Sequence, residues 1–149
     1  MHFSDLFMDD KGTNITKQLE VISLFPKLVL DEEVDCFLQP ITLLEVESIL
    51  KGFKNDKSHG PDGWLVEFFL AFFDLIGGEL VLAAEQARTE ECVPCSINST
   101  FLTLIPKCDK PSTFADFRPI SLCNLVYKII SKIVALRLKP ILNRSISCQ

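Results

Sequence analysis

Phe114-Ala115-Asp116-Phe117-Arg118-Pro119-Ile120-Ser121-Leu122 and, upstream of it, Asn98-Ser99-Thr100-Phe101-Leu102-Thr103-Leu104-Ile105-Pro106-Lys107 are two apolar runs rich in Phe, Leu, Ile and Thr. Residues of this kind fit a pleated, half-buried surface, so both runs read as strands. Between them lie Asp109, Lys110, Pro111 and Ser112, the side chains of a polar loop. Paired as a ribbon, the strands carry Lys107 and Arg118 at or near their ends, and both cations can project from one end. Two fixed positive charges suit a polyphosphate or a nucleic-acid backbone, and arginine offers phosphate oxygens a planar fork. The plain alternative pairs Arg118 with nearby Asp116 and leaves Lys107 solvated. On residue types alone that alternative weighs more, because most surface charges do nothing specific.

Outward from the ribbon the pattern turns helical. Asn124 is placed to cap a helix over residues 125–139, with Val126, Ile129, Ile130 and Ile133 facing inward. Lys128, Lys132 and Lys139 fall on another face, which can follow a nucleic-acid backbone or simply meet water. Pro140 is expected to bend or end this helix. On the other side of the ribbon, Lys57-Ser58-His59-Gly60-Pro61-Asp62-Gly63 reads as a tight turn whose Asp62 caps the next helix. Lys57 and the glycine amides could meet phosphate, but the spacing is not that of a phosphate-binding loop, and His59 reads as a surface residue. A helix over 64–76 carries Phe69, Phe72, Phe73 and Ile76 on one stripe, widened by Trp64 and Phe68. Gly77-Gly78 is expected to break it, with a second helix over 79–89. These aromatics are expected in the core; a stacking platform would interleave them with basic residues, and none occur here. Thr42-Leu43-Leu44-Glu45 is a capping box, Ile41 and Val46 suit a staple, and Val46, Ile49, Leu50 and Phe53 form the buried stripe of a helix over 42–54. Residues 1–39 read as a connector, with a helical turn at Phe3, Leu6 and Phe7 and an extended piece at Phe25-Pro26-Lys27-Leu28-Val29-Leu30.

The 149 residues suit one domain or part of one, and 48% hydrophobic content argues against disorder. A net charge of −5 hides an asymmetry: residues 1–95 hold 7 Lys and Arg against 18 Asp and Glu, whereas residues 96–149 hold 8 against 2. A basic back half hints at a polyanion partner for one face. Six cysteines without a secretory leader imply an intracellular, reducing compartment. Cys92-Val93-Pro94-Cys95 has no second pair to complete a zinc site, and a strand-like run follows it where a redox motif would start a helix. The apolar stretch 64–87 is interrupted by Glu67, Asp74, Glu79 and Glu85, so no membrane span is expected.

Taken together, the glycine turn at 57–63, Leu104-Ile105-Pro106-Lys107, the run from Asp116 to Asn124 and Tyr127-Lys128-Ile129-Ile130-Ser131-Lys132 resemble the reverse transcriptases of LINE-type (non-LTR) retrotransposons, in order and approximate spacing. The resemblance covers about residues 40–149. It implies an α+β fold, mostly helical with one β-ribbon, corresponding to the fingers of a right-hand polymerase. The implied partners are an RNA template, a DNA primer and a deoxynucleoside triphosphate. Arg118 matches the arginine that contacts the triphosphate, Lys107 matches a phosphate or template contact, and Lys128 and Lys132 would lie near the template. His59 departs from the family's usual proline, and Glu90-Glu91-Cys92 stands in place of a glycine-containing turn. The resemblance also stops before the palm strands with the catalytic aspartates that hold Mg2+ in the intact polymerase. Phe7-Met8-Asp9-Asp10 has the letters of that aromatic-x-Asp-Asp signature but precedes the fingers and lacks an apolar return strand, so it reads as coincidence. No catalytic residue and no cofactor are therefore expected in this stretch, because two-metal nucleotidyl transfer needs those carboxylates. Two rival readings are a non-catalytic RNA-binding domain and an inert retroelement remnant.

Overall fold

Thr42 supplies the clearest local signal, and the computed structural model of the protein begins its central helix there. The structure describes residues 19–20, 30–55 and 57–145. In these residues the order is α1 (Asp31–Leu38), α2 (Leu43–Gly52), α3 (Val66–Ala71), α4 (Phe73–Thr89), β1 (Thr100–Pro106), a 3-10 turn (Phe114–Asp116), β2 (Phe117–Cys123) and α5 (Leu125–Ser145). This is the α+β arrangement anticipated, mostly helical with one antiparallel ribbon. The Phe3 and Phe7 turn, Phe7-Met8-Asp9-Asp10 and the extended piece up to Val29 lie outside the described residues.

The core forms where the stripe of α2 meets α3, α4 and α5. Val46 and Leu50 of α2 and Ile129 of α5 are fully buried, joined by Ile49, Phe69, Leu80, Ala84, Leu125 and Ile133. Burying a side chain such as Leu50 stabilises the fold by about 1.5–3 kcal/mol. The stripes at 46, 49 and 50 and at 129 and 133 are thus the expected ones, and Ile130 and Val126 pack partly buried beside them.

Several details differ from expectation. Thr42 Oγ1 accepts the Glu45 N–H at 3.2 Å, but the Glu45 carboxylate does not complete the capping box. It forms a fork-to-fork pair with Arg137 instead, at 3.0 and 2.8 Å. Helix α3 starts at Val66 rather than Trp64, and Asp62 accepts the Trp64 N–H at 3.3 Å in a local turn. The break falls at Phe72 (φ −110, ψ 17), and α4 runs straight through Gly77 and Gly78. Gly77 is buried, and a Cβ there would stand 3.0 Å from the Leu43 side chain and 3.0 Å from the Phe73 ring. That glycine permits close packing on α2 rather than ending a helix. Trp64 and Phe72 are 48% and 49% exposed, so the aromatic run is only partly core. Helix α5 continues past Pro140 to Ser145, held in its last turns by buried Ile141 and by an Arg144–Glu33 ion pair at 2.9 Å. Within the stretch read as a connector, α1 packs on α5.

Candidate nucleic-acid interface

The ribbon's register pairs Ile105 with Arg118 and Pro106 with Phe117. Directly opposed residues share a face, and Lys107 lies two residues beyond Ile105, so Lys107 and Arg118 belong to the same face at the loop end. Arg118 is exposed, and among the described residues no carboxylate pairs with it. Asp116 does not supply the partner that the plain alternative requires. Its Oδ2 accepts the N–H groups of Ser112 and Thr113 at 2.9 and 2.8 Å, and both hydroxyls at 3.3 and 3.1 Å. Those donors, the two backbone amides first, hold the Asp116 carboxyl below its ordinary value. Lys107 is tied down too: its N–H donates to Asp116 O at 2.7 Å and its Nζ to Ala115 O at 2.7 Å. The loop therefore consumes Asp116 and anchors Lys107, leaving the Arg118 guanidinium, like Lys110 in the loop, without a partner among the described residues.

The base of the ribbon is fixed by one buried amide. Asn124, 4% exposed, follows β2 and occupies the N-cap position of α5, where its carbonyl accepts the Lys128 N–H at 3.1 Å. Its side chain does not cap the helix. Oδ1 accepts the Asp62 N–H at 3.1 Å, and Nδ2 donates to Ser96 O, Ile97 O and Ser99 Oγ at 3.0, 3.3 and 3.2 Å. One residue thereby joins the glycine turn, the entry to β1, the exit of β2 and the start of α5. Gly60 has to be glycine for this approach, since a Cβ would sit 2.5 Å from Asn124 N. Gly63, at φ +75, completes the turn in a conformation that side chains disfavour.

The four basic residues singled out in the sequence do not form one cluster. Lys107 and Arg118 lie at the tip, whereas Lys128 and Lys132 lie in the first three turns of α5 beyond the other end of β2. Five residues of strand separate Arg118 from Cys123, roughly 17 Å. Lys132 is exposed; Lys128 is half-buried and lines a cavity of about 200 Å³ with Lys54, Lys57, Ser58 and Trp64. Sequence reading missed this grouping because its members come from three separate segments. The only local signal was the position of Lys57 at the head of the glycine turn. Arg137 was missed as well, although it sits four residues from both Ile133 and Ile141 on a buried stripe. Besides Glu45 it donates to the carbonyls of Phe37, Gln39 and Pro40 at 3.0, 2.6 and 3.4 Å, closing off the end of α1. Cys92 and Cys95 are exposed free thiols, and among the described residues no three metal-binding side chains gather. Among those residues, too, no helix is long and apolar enough to cross a membrane.

No family model matches the chain. Over 103 residues, 69% of its length, it is 36% identical to the transposon TX1 uncharacterized 149 kDa protein of Xenopus laevis. The match spans 8% of that relative's own length. The chain is thus similar, across most of its length, to a small part of a large transposon protein.

Proposed function

We propose that this chain is part of the fingers region of a non-LTR retrotransposon reverse transcriptase, contributing contacts to the incoming nucleoside triphosphate and to the template. The observation that carries the reading is Arg118: an exposed guanidinium without a carboxylate partner among the described residues, on a paired ribbon whose loop engages the neighbouring Asp116. A fork of this kind suits the oxygens of a polyphosphate. The relationship to a transposon protein supports a retroelement origin. In this reading Lys107 stiffens the loop beside Arg118 and adds positive charge, while Lys128 and Lys132 face the template. RNA template, DNA primer and the palm and thumb of the polymerase are the partners. Mg2+ is held by the palm's carboxylates, and this chain alone adds no nucleotide to a primer.

Calorimetric titration of dTTP against thymidine into the full chain tests the assignment. Triphosphate-dependent binding that Arg118→Ala abolishes and Arg118→Lys weakens is the expected result. Equal binding of thymidine and dTTP, or indifference to Arg118, would overturn it. A primer-extension assay with Mg2+ is expected to show no incorporation.

A further inference from the structure

The geometry points to a second site, at the cavity between the end of α2 and the start of α5, which seats one nucleotide unit of a single strand: its base against Trp64, its phosphate among Lys54, Lys57 and Lys128. It rests on the template reading above for Lys128 and Lys132, and adds Lys54, Lys57 and Trp64 to it. Three lysines from three segments converge on the cavity, and among the described residues no carboxylate lines it. Lys51, Arg88, Arg137 and Arg144 each have an acidic partner, whereas the cavity lysines, like Lys107, Lys110, Arg118, Lys132 and Lys139, have none among the described residues. None of the three cavity lysines makes an ion pair among the described residues. An unneutralised group of three ammonium heads is favourable only beside an anion or in bulk water.

Trp64 supplies the other half of the recognition. It is 48% exposed, and its ring is backed by Phe68 with centroids 4.2 Å apart and planes tilted by 31°. An indole held this way offers a fixed π face at small ordering cost, which is what base stacking needs. The cavity, about 200 Å³ and open to solvent, is smaller than the clefts of about 300–1,000 Å³ that enclose drug-sized ligands. It suits one planar ring at its mouth rather than an engulfed metabolite. A duplex keeps its bases stacked away from such a ring, so the occupant is single-stranded. A free mononucleotide presents the same base and phosphate; a strand adds neighbouring phosphates, toward which Lys132 lies one helical turn further along α5.

Trp64 is the only tryptophan of the chain, so its fluorescence reports this site alone. Titration of the full chain with a ten-residue oligouridylate should quench it to saturation, whereas UMP should need far higher concentrations. The logarithm of affinity should fall with the logarithm of salt by about 0.7 per phosphate neutralised, hence by roughly 0.7 for the one phosphate seated among the three lysines. Replacing Lys54, Lys57 and Lys128 together by alanine should remove most of that slope and weaken binding at least about tenfold. With a labelled oligonucleotide read by anisotropy, Trp64→Leu should lose about fivefold or more, while Trp64→Phe keeps most of the affinity. Thermal melts of each variant establish that the fold is retained. Arg118→Ala should leave the quenching unchanged, which separates this site from the ribbon. Absence of quenching at low salt, or triple-lysine and Trp64→Leu variants that bind as the parent does, would overturn the site. UMP binding as tight as the oligonucleotide would overturn a strand as its occupant.

Discussion

Arg137 and Asp116 are both engaged within the fold, one holding helices together and the other holding a loop. The Arg137 side chain is 13% exposed and that of Glu45 23%, so each pays for desolvation through the other and through three backbone carbonyls. The Glu45 hydrogen bond is the main reason Arg137 holds its proton more tightly than usual. Arg137→Met should cost about 2–3 kcal/mol, read as a lowered denaturation midpoint, with Glu45→Gln costing less because an amide still accepts from the guanidinium. Asp116, Glu85 and Glu33 all have carboxyls held below their ordinary values, by loop donors, by Arg88 and by Arg144 respectively. A depressed folded pKa contributes stability that is complete above the unfolded value, near pH 4, and disappears as pH falls through the folded value. Acid titration followed by circular dichroism should therefore show stability declining from about pH 4.5 downward, and Asp116→Asn should flatten part of that decline. Neither role could be read from the chain alone. Asp116 looked like a partner for its neighbour Arg118 because proximity in sequence was the only distance available, and Arg137 is tied to residues nearly a hundred positions away.

Local patterns fared well wherever one stretch of chain contained the whole cause. Thr42 with a stripe at 46, 49 and 50 specifies α2 by itself, and two β-favouring runs around a polar loop specify the ribbon. Glycine and proline were harder, because their effect depends on what packs against them. Gly77 faces Leu43 and the Phe73 ring at 3.0 Å, while Gly78 has nothing within 4 Å. Gly78→Ala should accordingly raise stability by about 0.5–1 kcal/mol, the usual helix-interior gain. Gly77→Ala should fall short of that gain, since the same propensity term is offset by crowding against two side chains. If the pair broke the helix, both substitutions would instead perturb the backbone alike. Gly60→Ala belongs to another class: its Cβ would meet backbone 2.5 Å away, and a loss of more than about 2 kcal/mol is expected in a urea melt. Pro140 sits inside α5 because buried Ile141 and the Arg144 pair reward continuation.

At the scale of the molecule the helical part has a core, while β1 and part of β2 leave apolar side chains exposed. Every residue of β1 is exposed, including Phe101, Leu102, Leu104 and Ile105, and so is Ile120 of β2. A two-stranded ribbon by itself is marginal in water, and clustered exposed apolar side chains invite association. The full chain should bind the dye ANS while still melting cooperatively, and replacing Phe101 and Ile105 by threonine should lower the dye signal with little change in the melt. A non-cooperative melt would show the helical core to be insufficient on its own. The charge asymmetry was readable from the composition, but the cationic cavity was not: Lys54, Lys57 and Lys128 meet only after α2, the glycine turn and α5 have packed. In sequence, aromatics without interleaved basic residues point to the core, whereas Trp64 gains its lysine neighbours from elsewhere in the fold. The amide of Asn124 has a mechanical consequence as well. It is the pivot of a lever whose arm, the ribbon, reaches roughly 17 Å to Arg118, so a tilt of about ten degrees at the root swings the tip by about 3 Å. Aim at the far end is set by four hydrogen bonds at the near one, and Asn124→Ala should misdirect the arginine without touching it.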